Sequence, residues 1–179
     1  CGFLKVSPEL ENFSFMAGGI QEMGHRPGTE NFPAVSAMLA ALDVCKFADQ
    51  GPRDVFERCI IKKIPGTVII GHNVARLWNT SMLLLPEFLN TRWVNRLSSR
   101  ECLVSTGSAC ATAKEGPSHV LAAMDISPED ASRAVRISGS SFHEESDWLA
   151  LADAFVTVFK EMSAEKKASP IGGSAIIEV

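Results

Sequence analysis

One cysteine of the chain lies among small residues and hydroxyl groups. The stretch is Ser105-Thr106-Gly107-Ser108-Ala109-Cys110-Ala111-Thr112. A structural cysteine usually packs against bulky apolar neighbours, and none follows Cys110 for several residues. An exposed thiol beside hydroxyl groups that stabilise a thiolate is typical of a nucleophilic or redox cysteine. An ordinary loop cysteine is the alternative for this pattern.

A second stretch has the glycines and charges of an anion site. It runs from residue 18 to residue 31 and reads Gly-Gly-Ile-Gln-Glu-Met-Gly-His-Arg-Pro-Gly-Thr-Glu-Asn. Thr29 is expected at a helix start, where free N–H groups and the helix dipole favour a phosphate, and Arg26 adds a positive charge. The alternative is an ordinary glycine-rich turn that Thr29 caps.

The third candidate is Arg136, which lies between Val135 and Ile137 in a strand-like run. Strand alternation places the two aliphatic residues on one face and Arg136 on the other. A partly buried guanidinium requires an anionic partner, and its planar fork suits a carboxylate. A substrate carboxylate is one possible partner; an internal salt bridge, or an arginine on a solvated strand face, is the alternative.

The elements that must position these residues alternate between helix and strand. Helical spacing of Val35, Met38, Leu39, Leu42 and Cys45 predicts a helix from Thr29 to about Phe47. A second apolar stripe predicts a helix from Glu144 to Ala164, with Trp148, Leu151, Ala152, Phe155, Phe159 and Met162 on one face.

Shorter runs predict the remaining elements, and the alternation indicates an α/β layered fold. Strands are expected at residues 1–6, 66–71, 81–85 and 134–138, with an extended segment at 102–105. Helices are expected at 52–62, 90–98 and 118–124, and another begins at Ser127, which acts as its cap.

Composition excludes several classes of protein. The chain has 179 residues, of which 46% are hydrophobic and 21% charged, with a net charge of −4. This composition favours a packed core and gives no basic footprint for nucleic acid. The longest apolar runs are too short to span a membrane. Five irregularly spaced cysteines without a Cys-x-x-Cys pair predict no metal site and favour a reducing, cytoplasmic setting.

Together the three stretches resemble cysteine desulfurases, which are pyridoxal 5'-phosphate (PLP) enzymes of the class V aminotransferase superfamily. The glycine-rich segment and Ser-Thr-Gly-Ser-Ala-Cys match that family, and Pro117-Ser118-His119-Val120-Leu121 and Val135-Arg136-Ile137-Ser138 follow in its order. The resemblance runs from residue 1 to about 165. It implies the C-terminal part of a fold-type I PLP-dependent transferase, whose small domain has a mainly antiparallel sheet with helices on one side.

The resemblance also implies roles for single residues. Cys110 matches the nucleophile that takes sulfur from L-cysteine and becomes a persulfide, and Arg136 matches the arginine that holds the substrate's α-carboxylate. Thr29 matches the threonine that reaches the cofactor phosphate of the partner subunit in a homodimer. A sulfur-acceptor protein, for example one that serves iron–sulfur cluster assembly, is the expected partner.

Departures from the family leave alternatives open. The positions of the Schiff-base lysine, the ring-stacking histidine and the acid that pairs with the ring nitrogen would fall before Cys1. We therefore expect the 179 residues alone to be inactive. Residues 1–48 are expected to end the large cofactor domain, 52–165 to form the small domain and 166–179 a tail. A selenocysteine or cystine lyase, or an inactive module that only accepts sulfur, are the alternatives.

Overall fold

The computed structural model describes residues 1–10, 13–14, 16–45, 49–106 and 118–168. The chain divides into two compact units, Cys1–Lys46 and Phe47–Val179. The first unit contains two short 3-10 turns, Pro8–Leu10 and Gln21–Gly24, and helix α1, Phe32–Val44.

Helix α1 starts later than the sequence predicts. Its cap is Asn31, whose side-chain oxygen accepts a hydrogen bond from the Ala34 amide at 3.2 Å. Pro33 occupies the first turn, where its fixed φ suits a helix and its missing N–H costs nothing. Gly28 has a φ of +101°, in the left-handed region, and Thr29 and Glu30 lie between it and the cap. The prediction that Thr29 caps this helix is therefore wrong.

The apolar residues of the first unit are largely exposed. No residue of α1 is buried, and Val35, Leu39 and Leu42 of the predicted stripe are 37%, 54% and 51% exposed. The strand predicted at residues 1–6 is wrong: these residues form no regular element. A strand needs a hydrogen-bonded neighbour, and no described residue pairs with this segment.

The second unit is a three-stranded antiparallel sheet flanked by helices. Its elements are α2 (Gly51–Lys63), β1 (Val68–Ile69), β2 (Thr80–Leu84), α3 (Asn90–Ser98), α4 (His119–Ala123), α5 (Pro128–Ala131), β3 (Ala134–Ser138) and α6 (Glu145–Ala168). Strand order is β1-β2-β3, and β2 and β3 pair over five residues from Thr80↔Ser138 to Leu84↔Ala134. The predicted α/β class with an antiparallel sheet is confirmed.

Two apolar clusters cover the two faces of the sheet. The larger one joins the sheet to α2, α3 and α6 and is formed by Phe56, Ile60, Ile64, Ile69, Leu83, Leu85, Phe88, Trp93, Leu97, Val135, Ile137, Trp148, Ala152, Phe155, Val158 and Met162. On the opposite face, Leu121 of α4 and Ala131 of α5 pack near Met82 and Leu84. The helices therefore lie on both faces, rather than on the one side that the sequence predicts.

Two elements differ in length from their predictions for identifiable reasons. Strand β1 has two residues because Gly66 and Gly71, at its flanks, have φ values of +91° and +70°, which end an extended run. Helix α6 continues to Ala168, where Glu165 receives ion pairs from two arginines of α3, Arg92 and Arg96. The predicted tail therefore begins with helical residues, and residues 169–179 lie outside the described ranges.

A glycine and a tryptophan fit together just after β3. A Cβ atom added to Gly139 would lie 2.7 Å from Cζ2 of Trp148 in α6. Asn79 fixes the same glycine through two hydrogen bonds. Its side-chain amide donates to the Gly139 carbonyl at 2.7 Å, and its main-chain carbonyl accepts from the Gly139 amide at 2.8 Å. These contacts hold the end of the strand that carries Arg136. None of the helices in the described ranges combines the length and apolar character needed to cross a bilayer.

The Gly139–Trp148 contact predicts a measurable cost for a single methyl group. Gly139→Ala should lower the free energy of unfolding by about 1–3 kcal/mol, because the indole must move out of a close-packed position. Urea denaturation at neutral pH measures this. In a Trp148→Phe background the smaller ring leaves room, so the same alanine should cost less; an equal cost in both backgrounds would contradict the steric explanation.

Candidate functional site

Arg136 lies on the sheet face opposite the larger core. Its neighbours Val135 and Ile137 are 0% and 3% exposed and belong to that core, whereas Arg136 itself is half-buried. Met82 of β2 is its cross-strand partner. The alternation that the sequence predicts is therefore confirmed, and the guanidinium lies on the side of the sheet away from α2 and α6.

The segment that leads to Cys110 meets the strand of Arg136. Ser105 and Arg136 form an antiparallel bridge, in which the Arg136 amide donates to Ser105 O at 2.7 Å and the Ser105 amide to Arg136 O at 3.0 Å. Ser105 is five residues before Cys110 in the sequence. Cys110 itself, with residues 107–117, lies outside the described residues, so its predicted role stays a prediction.

The chain beyond residues 107–117 resumes in a capped helix. The hydroxyl of Ser118 accepts a hydrogen bond from the Leu121 amide at 3.5 Å and caps α4, and Leu121 is buried in the smaller cluster. The predicted helix at this position is confirmed. Both described ends of the segment are therefore attached to the packed part of the second unit.

Thr29 belongs to the first unit and is exposed in its glycine-rich turn. The Arg26 guanidinium donates to the carbonyl of Gly28 at 3.0 Å and lies 3.5 Å from the carbonyl of Thr29. The Gln21 side-chain oxygen accepts from the Gly28 amide at 3.3 Å. Thr29 supplies a hydroxyl and Arg26 a guanidinium in the same turn, and both are types of group that bind phosphate. These residue types therefore fit a phosphorylated cofactor.

A buried ionic cluster, which the sequence analysis missed, lies on the other face of the sheet. Glu57 of α2 is 2% exposed, and Arg76 donates to its two carboxylate oxygens at 2.7 and 3.0 Å. Ser81 of β2 donates to the same carboxylate at 2.6 Å, and Arg53 lies 4.0 Å from it. The spacing of Arg53 and Glu57, one helical turn apart, was the one available signal.

This cluster determines the protonation of Glu57. Burial of the carboxylate by itself raises its pKa, but hydrogen bonds from Arg76 and Ser81 and the charges of Arg76 and Arg53 outweigh burial. The pKa of Glu57 therefore lies below its ordinary value, and the group is ionised at neutral pH. Ser81 is next to Met82, the cross-strand partner of Arg136. The ionic cluster therefore holds β2 in place on the sheet face opposite Arg136.

No metal site accompanies these groups in the described ranges. No group of three or more His, Cys, Asp or Glu side chains there lies close enough together to hold an ion.

Comparison with known proteins gives one consistent result. The chain is 30% identical over 163 residues to a cysteine desulfurase of Cereibacter sphaeroides, a match that covers 89% of this chain and 41% of the relative. It is 32% identical over 154 residues to a cysteine desulfurase of Enterobacter agglomerans, covering 81% and 38%. No family model matches the chain.

Solved structures agree with the sequence relatives. A NifS-like protein from Rickettsia africae superposes with a TM-score of 0.62 at 27% identity, covering 82% of this chain and 40% of that one. The chain belongs to the cysteine desulfurase family. It spans about two fifths of the length of the curated relatives that it matches, which is consistent with the predicted C-terminal portion.

Two described residues bear on the chemistry of a cysteine desulfurase. Arg136 is the candidate for binding a carboxylate, and Ser105 is the base of the segment from residue 105 to Cys110, here called the cysteine segment. Arg136 and Ser105 are joined directly, whereas Thr29 belongs to the other unit. The strand of Arg136 therefore pairs with the residue at which the segment that leads to Cys110 begins.

The ionic cluster predicts a specific pH dependence of stability. Because the folded-state pKa of Glu57 is lowered, the carboxylate stabilises the fold above its ordinary pKa near 4.5, and this contribution is lost as the pH falls through the lowered value. Glu57→Gln should lower the free energy of unfolding at pH 7 by about 3 kcal/mol, because the largely buried Arg76 loses the carboxylate that pairs with it. The difference from the unsubstituted protein should shrink below pH 4.5 in urea titrations.

Glu165→Gln is the matched control, because Glu165 pairs with two arginines at the exposed surface between α3 and α6. Solvent screens such pairs, so we expect little change in unfolding at pH 7. Equal losses in the two variants, or a Glu57→Gln loss that is the same at pH 3 and pH 7, would contradict the role assigned to the buried cluster.

Proposed function

We propose that the complete protein is a PLP-dependent cysteine desulfurase, which converts L-cysteine to L-alanine and carries the sulfur as a persulfide on Cys110. Family membership over most of the chain supports the reaction class. The observation that carries the proposal is the bridge between Ser105 and Arg136, because it joins the candidate carboxylate-binding strand to the segment of the candidate nucleophile.

The cofactor would be held partly by the first unit. Thr29, in the same turn as Arg26, would contact the phosphate of the cofactor of a partner subunit in a homodimer. The exposed apolar residues of α1 support the proposal that residues 1–48 complete a larger cofactor domain, since an apolar helical stripe normally packs against another element. When bound, PLP withdraws electrons from the substrate's Cα.

The residues of this chain would bind the substrate and accept its sulfur. Arg136 would fix the α-carboxylate in a bidentate contact and so orient the substrate thiol. The Cys110 thiolate would attack the substrate sulfur, so that an S–S bond forms and the C–S bond breaks. The electron pair of that bond stays with the substrate carbon, which takes up a proton. The products are L-alanine and a Cys110 persulfide, and no external oxidant is needed.

Further partners follow from this chemistry. A structural neighbour, named as SspA in complex with cysteine, matches with a TM-score of 0.53 at 28% identity over 73% of this chain. We propose L-cysteine as the substrate here too. A persulfide must be passed on, so a thiol-bearing acceptor protein in the cytoplasm is the proposed partner.

Substitution of the proposed nucleophile tests the function. In the complete encoded protein supplied with PLP, Cys110→Ala should abolish persulfide formation from L-cysteine, because the proposed sulfur acceptor is removed, while cofactor absorbance is unchanged. Alanine production and persulfide labelling measure this. Cys59→Ala is the control, since Cys59 packs partly against the larger core, and it should keep most of the activity. Parental sulfur release by Cys110→Ala would remove Cys110 from the mechanism.

Substitution of Arg136 tests substrate binding. Lysine keeps the charge but loses the planar fork, so Arg136→Lys should raise KM for L-cysteine roughly tenfold, the equivalent of one charge-assisted hydrogen bond. Turnover should change less. Steady-state kinetics and the melting temperature should be measured on the same variant. A lowered melting temperature with an unchanged KM would instead identify a structural salt bridge.

A further inference from the structure

The chain that leads to the cysteine segment is attached to the core along its described length. The Cys102 amide donates to the Leu97 carbonyl at 3.0 Å, and Cys102 and Val104 pack against the larger core. Leu103, between them, is 85% exposed. This alternation is that of an edge strand. The attachment to the core continues to Val104, and Ser105 is the next residue.

Ser105 is held by its pairing with one residue, Arg136. It exchanges two backbone hydrogen bonds with Arg136, and residues that do so in an antiparallel pair have their side chains on the same face. Ser105 therefore lies on one side of Arg136, and Met82 lies on the other. Within the described part of the chain, this is the single ladder pair between the edge segment and β3.

The two partners of this pair are held unequally. Strand β3 is paired with β2 over five residues, and Asn79 fixes Gly139 just beyond its end. Among the described residues, the segment of Ser105 is joined to β3 by this one bridge. Loss of a hydrogen bond in the bridge should therefore displace Ser105 and leave the backbone of Arg136 where it is.

We propose that the Ser105–Arg136 bridge is the joint that sets the base of the cysteine segment relative to the bound substrate, and that Ser105 is a positioning residue for sulfur transfer. This inference rests on the proposed function. Cys110 is five residues after Ser105 in the sequence, and a chain of that length reaches at most about 17 Å. A fixed base confines the thiol to the neighbourhood of a substrate that Arg136 holds, and small losses of alignment slow a reaction strongly.

The joint acts through the backbone, so the test removes a backbone donor. Proline at position 105 has no N–H, and edge strands tolerate it. In the complete protein, Ser105→Pro should lower the rate of persulfide formation at saturating L-cysteine by about tenfold or more. KM should stay close to the parental value because Arg136 keeps its place. A merely structural defect would instead lower the melting temperature and the fraction of active protein.

Ser105→Ala is the matched control, because it removes the hydroxyl and keeps both backbone hydrogen bonds. Its rate of persulfide formation should fall much less than that of Ser105→Pro. A parental rate in a folded Ser105→Pro variant would overturn the inference, and so would an equal loss in Ser105→Ala, which would assign the effect to the hydroxyl. If the unsubstituted protein forms no persulfide, the proposed function itself fails. If it forms persulfide and Ser105→Pro does so at the same rate, only the present inference fails.

Amide hydrogen exchange provides a measurement that does not depend on activity or on the proline variant folding. In the unsubstituted protein, the amides of Ser105 and Arg136 should exchange more slowly than the amide of Thr106, which points away from β3 in an antiparallel pair. Equal exchange of Ser105 and Thr106 would show that no stable joint exists.

Discussion

The pairing of β2 with β3 is the constraint on which the rest of the second unit depends. Five residue pairs set a register in which Val135 and Ile137 enter the larger core, and the period of two then places Arg136 on the opposite face. A slip of one residue would bury the guanidinium and expose both aliphatic side chains. The hydrophobic free energy of the core therefore also fixes the orientation of the candidate site.

Charges in this unit follow two different physical regimes. Glu57 is buried, and its negative charge is acceptable only because Arg76 and Ser81 satisfy the carboxylate. The ion pairs between α3 and α6 lie at the surface, where water competes with each contact. The buried cluster thus holds β2 in place behind the site. The surface ion pairs join α3 to the C-terminal part of α6 and contribute little to stability.

Shape complementarity adds a third restraint at the end of β3. Gly139 has no side chain, and the indole of Trp148 fills the space beside it. A larger residue at position 139 would therefore displace the indole. Asn79 binds the backbone of the same glycine and holds the strand end in place.

Local patterns were sufficient to predict most elements of the second unit. The apolar stripe of α6, the Ser127 cap and the alternation around Arg136 depend on neighbours a few residues apart, and the structure confirms each of them. Resemblance of the motifs identified the family. The sequence alone also named Cys110 and Thr29 as site residues, and their roles remain predictions.

Tertiary structure decided what depends on residues far apart in the chain. The bridge from Ser105 to Arg136 and the ion pair from Arg76 to Glu57 join segments whose meeting no local period encodes. Residues 1–6 have the composition of a strand, but a strand forms only where a partner satisfies its backbone groups. Local propensity is a weak preference, and the packing partner determines whether it is realised.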